Sequence, residues 1–332
     1  MKTVVIPALL LLVGILIPLA IGENPYVTGI LITVLMMATL ASAWNILGGY
    51  AGQYSFGHAA YFGAGAYTTM IILEGSHANP LVAMAAGVVV AGLIALMTGA
   101  IVFRLRGHYF GLASIAVAEI VRLVVLNLDF TGGAQGILLT DVKFYGLDLN
   151  SKNPFYYGML IALVLTLCIT ALVRRSRTGY YLQAIREDQD AAASLGINLA
   201  YHKNKALLIS AALTSVVGSL YAVYIRFIDT HAVLDLRLSI EIILTAIIGG
   251  VGTLWGPLFG ALLLVPLAEM LRSNVLGDAL VSHGIVSETS TVGIFLKEHL
   301  AHAHVLVYGI ITVLCILYLP KGILGLFRRS GK

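Results

Sequence analysis

Residues 27–47 read VTGILITVLMMATLASAWNIL, twenty-one positions without one Asp, Glu, Lys or Arg. About 20 apolar residues in a helix cross the hydrocarbon core of a bilayer. The stretch is therefore a membrane-spanning helix, and the rest of the chain repeats it. Apolar segments can be cut at approximately 4–21, 27–47, 55–73, 81–103, 109–128, 155–173, 206–225, 238–254, 256–271 and 304–319. The third, eighth and ninth are the weakest, being short or rich in glycine. Composition agrees. Of 332 residues, 59% are hydrophobic and 11% charged, where a soluble domain carries roughly 25% charged residues. The mean hydropathy is +0.94. A water-soluble fold of this size has nowhere to hide so much apolar surface, which excludes a soluble enzyme, a nucleic-acid reader and a disordered chain. The expected fold is all-α: one polytopic transmembrane helix bundle over residues 1–332 with about ten spans.

The positions of Lys and Arg orient it. With the N-terminus in the cytoplasm and strict alternation, cytoplasmic segments hold 13 of the 20 basic residues and external segments 6, while Arg122 lies within a span. This bias follows the positive-inside rule and places both termini in the cytoplasm. Eight spans keep the same parity, so the count reads as eight to ten. The run after Lys2 reads as a retained helix, with a cleaved signal peptide as the rival. Two long external loops follow, 129–154 and 272–303, and one long cytoplasmic loop, 174–204. Cys168 and Cys315 sit in apolar runs 147 positions apart, without metal-ligand spacing, and read as free thiols.

The 35 glycines cluster. Gly48, Gly49, Gly52 and Gly57 precede His58, and Gly249, Gly250, Gly252 and Gly256 precede Pro257. Two readings apply to each cluster. One is an unwound stretch that lines or gates a pathway, because backbone freed from a helix inside a membrane must face protein or a wet cavity. The other is tight packing and a short turn. Charges within spans need partners. Glu119 and Arg122 share one helix face at i,i+3 and read either as a structural ion pair or as a polar wall of a solute path or proton relay. Glu269 and Arg272 repeat the spacing, and Glu241 stands alone. His299, His302 and His304 read as a solvated segment, and His58 as a packed or hydrogen-bonded side chain. No catalytic or metal-binding set emerges.

The cytoplasmic loop reads RRSRTGYYLQAIREDQDAAASLGINLAYHKN over 174–204. Three arginines anchor its start at the membrane surface. Residues 180–196 then form a short amphipathic helix. Tyr181, Leu182, Ile185, Ala192 and Leu195 fall near one stripe, Arg186, Glu187, Asp188 and Asp190 lie largely elsewhere, and Gly196 is the stop. Small alanines at 191–193 would let another protein approach closely. A solvated connector is the alternative.

Asp190-Ala191-Ala192-Ala193-Ser194-Leu195-Gly196 is similar to the EAA-x-x-x-G motif of ABC importer permeases, with Asp in place of Glu. The wider stretches Arg174–Asn198, Thr131–Ile137, Gly249–Ala261 and Pro266–Arg272 resemble the permease subunits of branched-chain amino-acid ABC transporters, of the LivM type. The likeness spans roughly residues 27–325. It implies a coupling helix that docks on a separate ATPase, through Arg186, Glu187, Asp190, Ala191, Ala192 and Gly196. It also implies two homologous permeases forming the pore, two cytoplasmic ATPase subunits carrying ATP and Mg, and a periplasmic or extracellular amino-acid-binding protein, in a bacterial inner membrane. The candidate pathway or gate residues are Gly48, Gly49, Gly52, Glu119, Arg122, Gly249, Gly250 and Gly252. The sequence contains no G-x-x-x-x-G-K-[ST] loop, so no cofactor is expected on this chain and ATP dependence must come through a partner. Two other readings stay open. Urea or short-chain amide permeases share the motifs, and an ion-coupled secondary transporter would use Glu119 and Arg122 without ATP.

Overall fold

The computed structural model describes residues 24–76, 79–105, 108–139 and 151–272, with 14, 15, 18, 309, 310, 313, 322 and 323 besides. The first and last expected spans, the 272–303 loop, the three histidines at 299–304 and Cys315 fall outside the described residues, apart from those few positions.

The main helices are α1 (Pro25–Leu47), α2 (His58–Ser76), α3 (Pro80–Val102), α4 (His108–Asn127) and α5 (Asn153–Arg175). Two short helices follow, α6 (Arg177–Glu187) and α7 (Gln189–Ser194). The chain continues with α8 (Leu199–Ile225), α9 (Thr230–Val233), α10 (Leu236–Gly249) and α11 (Gly256–Arg272). Among the described residues, α1, α3, α4 (from Tyr109), α5 and α8 are long and apolar enough to cross a membrane. The chain is thus a multi-pass helical membrane protein.

The helix starts are written into the sequence. Asn24 caps α1, its side chain accepting from the Tyr26 and Val27 amides, with Pro25 in the first turn. Asn79 and Pro80 repeat the device at α3. An Asn side chain satisfies amides that have no carbonyl partner in the first turn, and proline there loses no hydrogen bond. The 27 residues of α8 begin seven positions before the expected apolar segment. At 1.5 Å per residue it is about 40 Å long, more than the ~30 Å hydrocarbon core, so one end projects and carries Lys203 and Lys205.

Helix α1 is central, with 83% of its spanning window buried, whereas α3 and α4 form the rim at 28% and 22%. Around α1 pack α5, α8, α10 and α11, and α2 packs against α3 and α8. The exposed faces of the rim helices carry Val89, Leu93 and Met97 on α3 and Leu112, Ile120 and Leu123 on α4. Such a surface suits lipid and not water. Glycine sets the closest approach: a Cβ on Gly65 of α2 would overlap the Ser215 carbonyl of α8, and one on Gly218 of α8 would overlap the Phe62 carbonyl of α2. Buried hydroxyls then bond across the seam, Thr69 Oγ1 to Ser219 Oγ at 2.8 Å. His58 is fully buried and shares a 2.8 Å hydrogen bond with Ser210 Oγ, so it is the packed side chain expected.

The expected helices at 238–254 and 256–271 are shorter in one case and unchanged in the other. Helix α10 stops at Gly249, because Gly250 has φ 125° and ψ 100°. Its 14 residues extend about 21 Å, short of a full crossing. Helix α11 has 17 residues with Pro266 inside.

One end of the bundle is closed by a two-residue antiparallel pairing, β1 (Ile137–Leu138) with β2 (Phe227–Ile228). It ties the segment after α4 to the end of α8. Lys152 Nζ donates to the Pro25 carbonyl at 2.9 Å at the same end. The opposite end holds the turns after α1 and α10, together with α6 and α7.

Candidate functional site

At that opposite end the two glycine clusters meet. Asn45, on the last turn of α1, is 1% exposed. Its Nδ2 donates to the Thr253 carbonyl at 2.8 Å, and its Oδ1 accepts from the Gly252 amide at 2.8 Å. One side-chain amide thus clamps the turn between α10 and α11 to the end of α1. Trp44, its neighbour, donates from Nε1 to the Ser55 carbonyl at 2.8 Å and closes the first cluster back onto α1. Thr253 finishes the second turn: its hydroxyl donates to the Gly250 carbonyl at 2.7 Å and accepts from the Gly256 amide at 3.0 Å.

Arg186 enters this junction from α6. Its Nη1 donates to the Gly49 carbonyl at 2.6 Å. A Cβ on Gly252 would stand 2.5 Å from the same nitrogen, and one on Gly52 would stand 3.1 Å from Arg186 Cγ. Gly252 also has φ 77°, a conformation costly for residues with a Cβ. The glycines at 52 and 252 therefore leave the channel through which the guanidinium reaches the backbone. Nearby, burial pushes the Tyr50 hydroxyl up to about 12, against the field of Arg174.

The 180–196 segment is not one helix. It belongs to two, α6 and α7, broken at Asp188, whose backbone is extended at φ −154° and ψ 118°. Asp188 Oδ1 accepts from the Asp190 and Ala191 amides at 2.8 and 3.0 Å, so the aspartate ends one helix by starting the next. Gly196 (φ 82°) stands just past the end of α7, and its amide donates to the Ala193 carbonyl at 2.9 Å, which makes it the stop expected. The amphipathic stripe holds for Leu182, Ile185 and Ala192, which are buried, but not for Leu195, 81% exposed, or Tyr181, also exposed. Ala192 packs inward, whereas Ala191 and Ala193 face outward with Glu187 and Asp190.

Two features escaped sequence reasoning. Asn45 lies within the apolar run 27–47 and belongs to no motif. Lys203, 2% exposed, donates to Gln189 Oε1 at 2.8 Å and stands 5.9 Å from the Phe103 ring centre. It fastens α7 to α8, where the sequence offered only a basic residue near a membrane surface.

Glu119 and Arg122 do not join the junction. They pair with each other on α4, Nε to Oε2 at 2.9 Å and Nη2 to Oε1 at 2.5 Å. Ser114, on the same helix, meets the first glycine cluster through the Phe56 amide at 2.9 Å. Arg122 lies two turns further along, about 12 Å away. Glu241 is not alone: Arg237 Nε stands 2.9 Å from its Oε1, one turn back on α10.

Residues 26–316 match the family model described as "Branched-chain amino acid transport system / permease component". The chain belongs to this family. The permease is 28% identical over 272 residues to the high-affinity branched-chain amino acid transport system permease protein LivM of Escherichia coli K12, covering 71% of this chain and 63% of that one. It is 26% identical to the LivM protein of Salmonella typhimurium, covering 69% and 59%. The match thus spans less than two thirds of the length of these two relatives. The permease is also 25% identical over 305 residues to the high-affinity branched-chain amino acid transport system permease protein BraD of Pseudomonas aeruginosa, covering 87% of this chain and 91% of that one. No solved structure matches. The permease is a membrane transport component.

Proposed function

We propose that this permease is the membrane-spanning subunit of an ATP-driven importer for branched-chain amino acids, worked through α6 and α7 by a separate ATPase subunit. The observation that carries the reading is Arg186: it stands on the segment resembling a coupling helix and donates to Gly49 within the cleft between both glycine clusters. An ATPase that displaces α6 moves that guanidinium and loosens or tightens the turns after α1 and α10 together. Transport needs an element with two packings whose balance a partner shifts, and the two turns held by Asn45 are that element. Glu187, Asp190, Ala191 and Gly196 form the outward face for the partner. ATP and Mg belong to the partner. A second permease subunit completes the pore, and an external binding protein delivers the solute to the end that carries β1 and β2.

The orientation follows the basic residues. The end with α6 and α7 is cytoplasmic, residues 129–154 and 272–303 are external, both termini are inside after an even number of crossings between eight and ten, and the membrane is the bacterial inner membrane. Gly48, Gly49, Gly52, Gly249, Gly250 and Gly252 act as the cytoplasmic gate, and Glu119 with Arg122 stands further along the path.

The test is uptake of labelled leucine into vesicles holding the permease with its ATPase, second permease and binding protein. Uptake should require internal ATP and cease with Arg186→Glu while the complex still assembles. Leucine uptake by the permease without an ATPase would reject the reading.

A further inference from the structure

Between the end of α5, the start of α6 and the second glycine turn lies a cleft of about 360 Å³, lined by Ala171, Arg174, Arg175, Tyr180, Gln183 and Leu254. Its polar wall offers two guanidinium groups, a phenol and a carboxamide. Its other wall is apolar, from Ala171 and Leu254. The described residues that line it include no carboxylate. Guanidinium forks match phosphate oxygens in pairs. Ala171, Arg174 and Arg175 end a 23-residue spanning helix, which sets the cleft at headgroup depth. Basic pockets between membrane helices at this level take anionic headgroups. A free phosphate would use the arginines but not the apolar wall.

We propose that this cleft holds the phosphate of an anionic phospholipid, with its glycerol and first acyl carbons against Ala171 and Leu254. The proposal needs the chain to span a membrane and is independent of the solute; only the choice of the inner leaflet rests on the orientation proposed above. Gln183 in the cleft and Arg186 in the glycine junction are three residues apart on α6, hence neighbours on its surface. A lipid in the cleft therefore braces the helix that carries Arg186.

The test is native mass spectrometry of the purified full-length permease, titrated with phosphatidylglycerol, phosphatidylcholine or inorganic phosphate. Phosphatidylglycerol should bind saturably and in preference to the other two. Each arginine near an anionic surface contributes enough for roughly a 5-fold change in affinity. Arg174→Gln or Arg175→Gln should then weaken binding about 5-fold, and the pair roughly 30-fold. Ala171→Phe, or Leu254→Phe if the former does not fold, should abolish binding by filling the cleft without altering its charge. Arg104→Gln removes a basic residue elsewhere on the chain and should leave binding unchanged. Equal loss with Arg104→Gln would show a diffuse surface field in place of a site. Unchanged binding with a folded filling variant, equal binding of phosphatidylcholine, or phosphate binding as tightly as the lipid would each overturn the proposal. Failure here leaves ATP-driven leucine uptake untouched, and failure of uptake leaves this binding measurable.

Discussion

Arg186 and Asn45 hold the same backbone in different ways. Asn45 is buried and uses both ends of its amide on the turn between α10 and α11. Arg186 reaches in from a helix whose outer side is open. Losing the first should act on stability. Asn45→Ala leaves the Gly252 amide and Thr253 carbonyl without their partner, at a cost of about 1–3 kcal/mol each if no water replaces it. The variant should melt lower, measured by thermal unfolding in detergent; an unchanged melting temperature would deny the clamp. Losing the second should act on coupling. Arg186→Ala removes a charge-assisted hydrogen bond of about 1.5–3 kcal/mol. It should cut ATP-driven uptake by roughly tenfold or more while the ATPase remains bound. Gly252→Ala places a methyl against Arg186 Nη1 at a left-handed φ and should be destabilising by about 1–3 kcal/mol.

Among the elements, α7 carries the clearest division of faces. Ala191 and Ala193 are exposed, and Ala192 is buried. Ala191→Trp should therefore prevent ATPase binding, read by co-purification, without lowering thermal stability. Ala192→Trp should destabilise the permease itself by about 1–3 kcal/mol through overpacking. Equal effects of the two on stability would mean that the faces are assigned wrongly. Asp188→Ala should cost about 1 kcal/mol of helix cap and uncouple ATP hydrolysis from uptake. The helix existed in the sequence pattern; its break did not. Tyr181 through Leu195 show one continuous helical stripe, and an Asp inside it reads equally as an exposed residue or a cap. Only its extended backbone separates the two. The same holds for Asn45, whose partners lie more than 200 positions away, beyond any local pattern. Gly196 was legible because a helix stop needs only its own residue. The EAA-like segment was legible because its motif is contiguous.

At the scale of the whole molecule the spanning helices were easy to place because length and apolarity suffice, and α1, α4 and α5 lie within two or three residues of their expected bounds. The α10–α11 region was harder, since glycine-rich apolar sequence looks the same whether it crosses or turns back. Orientation has a direct test. Tyr180 and Leu138 are 66% and 60% exposed, at opposite ends of the bundle. In a permease with Cys168 and Cys315 replaced by Ala, Tyr180→Cys should react with a membrane-impermeant thiol reagent only from the cytoplasm. Leu138→Cys should react only from outside. Labelling from the reverse sides would invert the permease, and labelling of both from one side would refute the alternation of spans.

The extended joint at Asp188 is the link through which a motor docked as proposed would act. Two helices meet at that one extended residue, and the outer is tied to α8 by Lys203 and Gln189. On the docking proposed above, an ATPase seated on α7 would reach the Gly49 carbonyl through this one link and the length of α6.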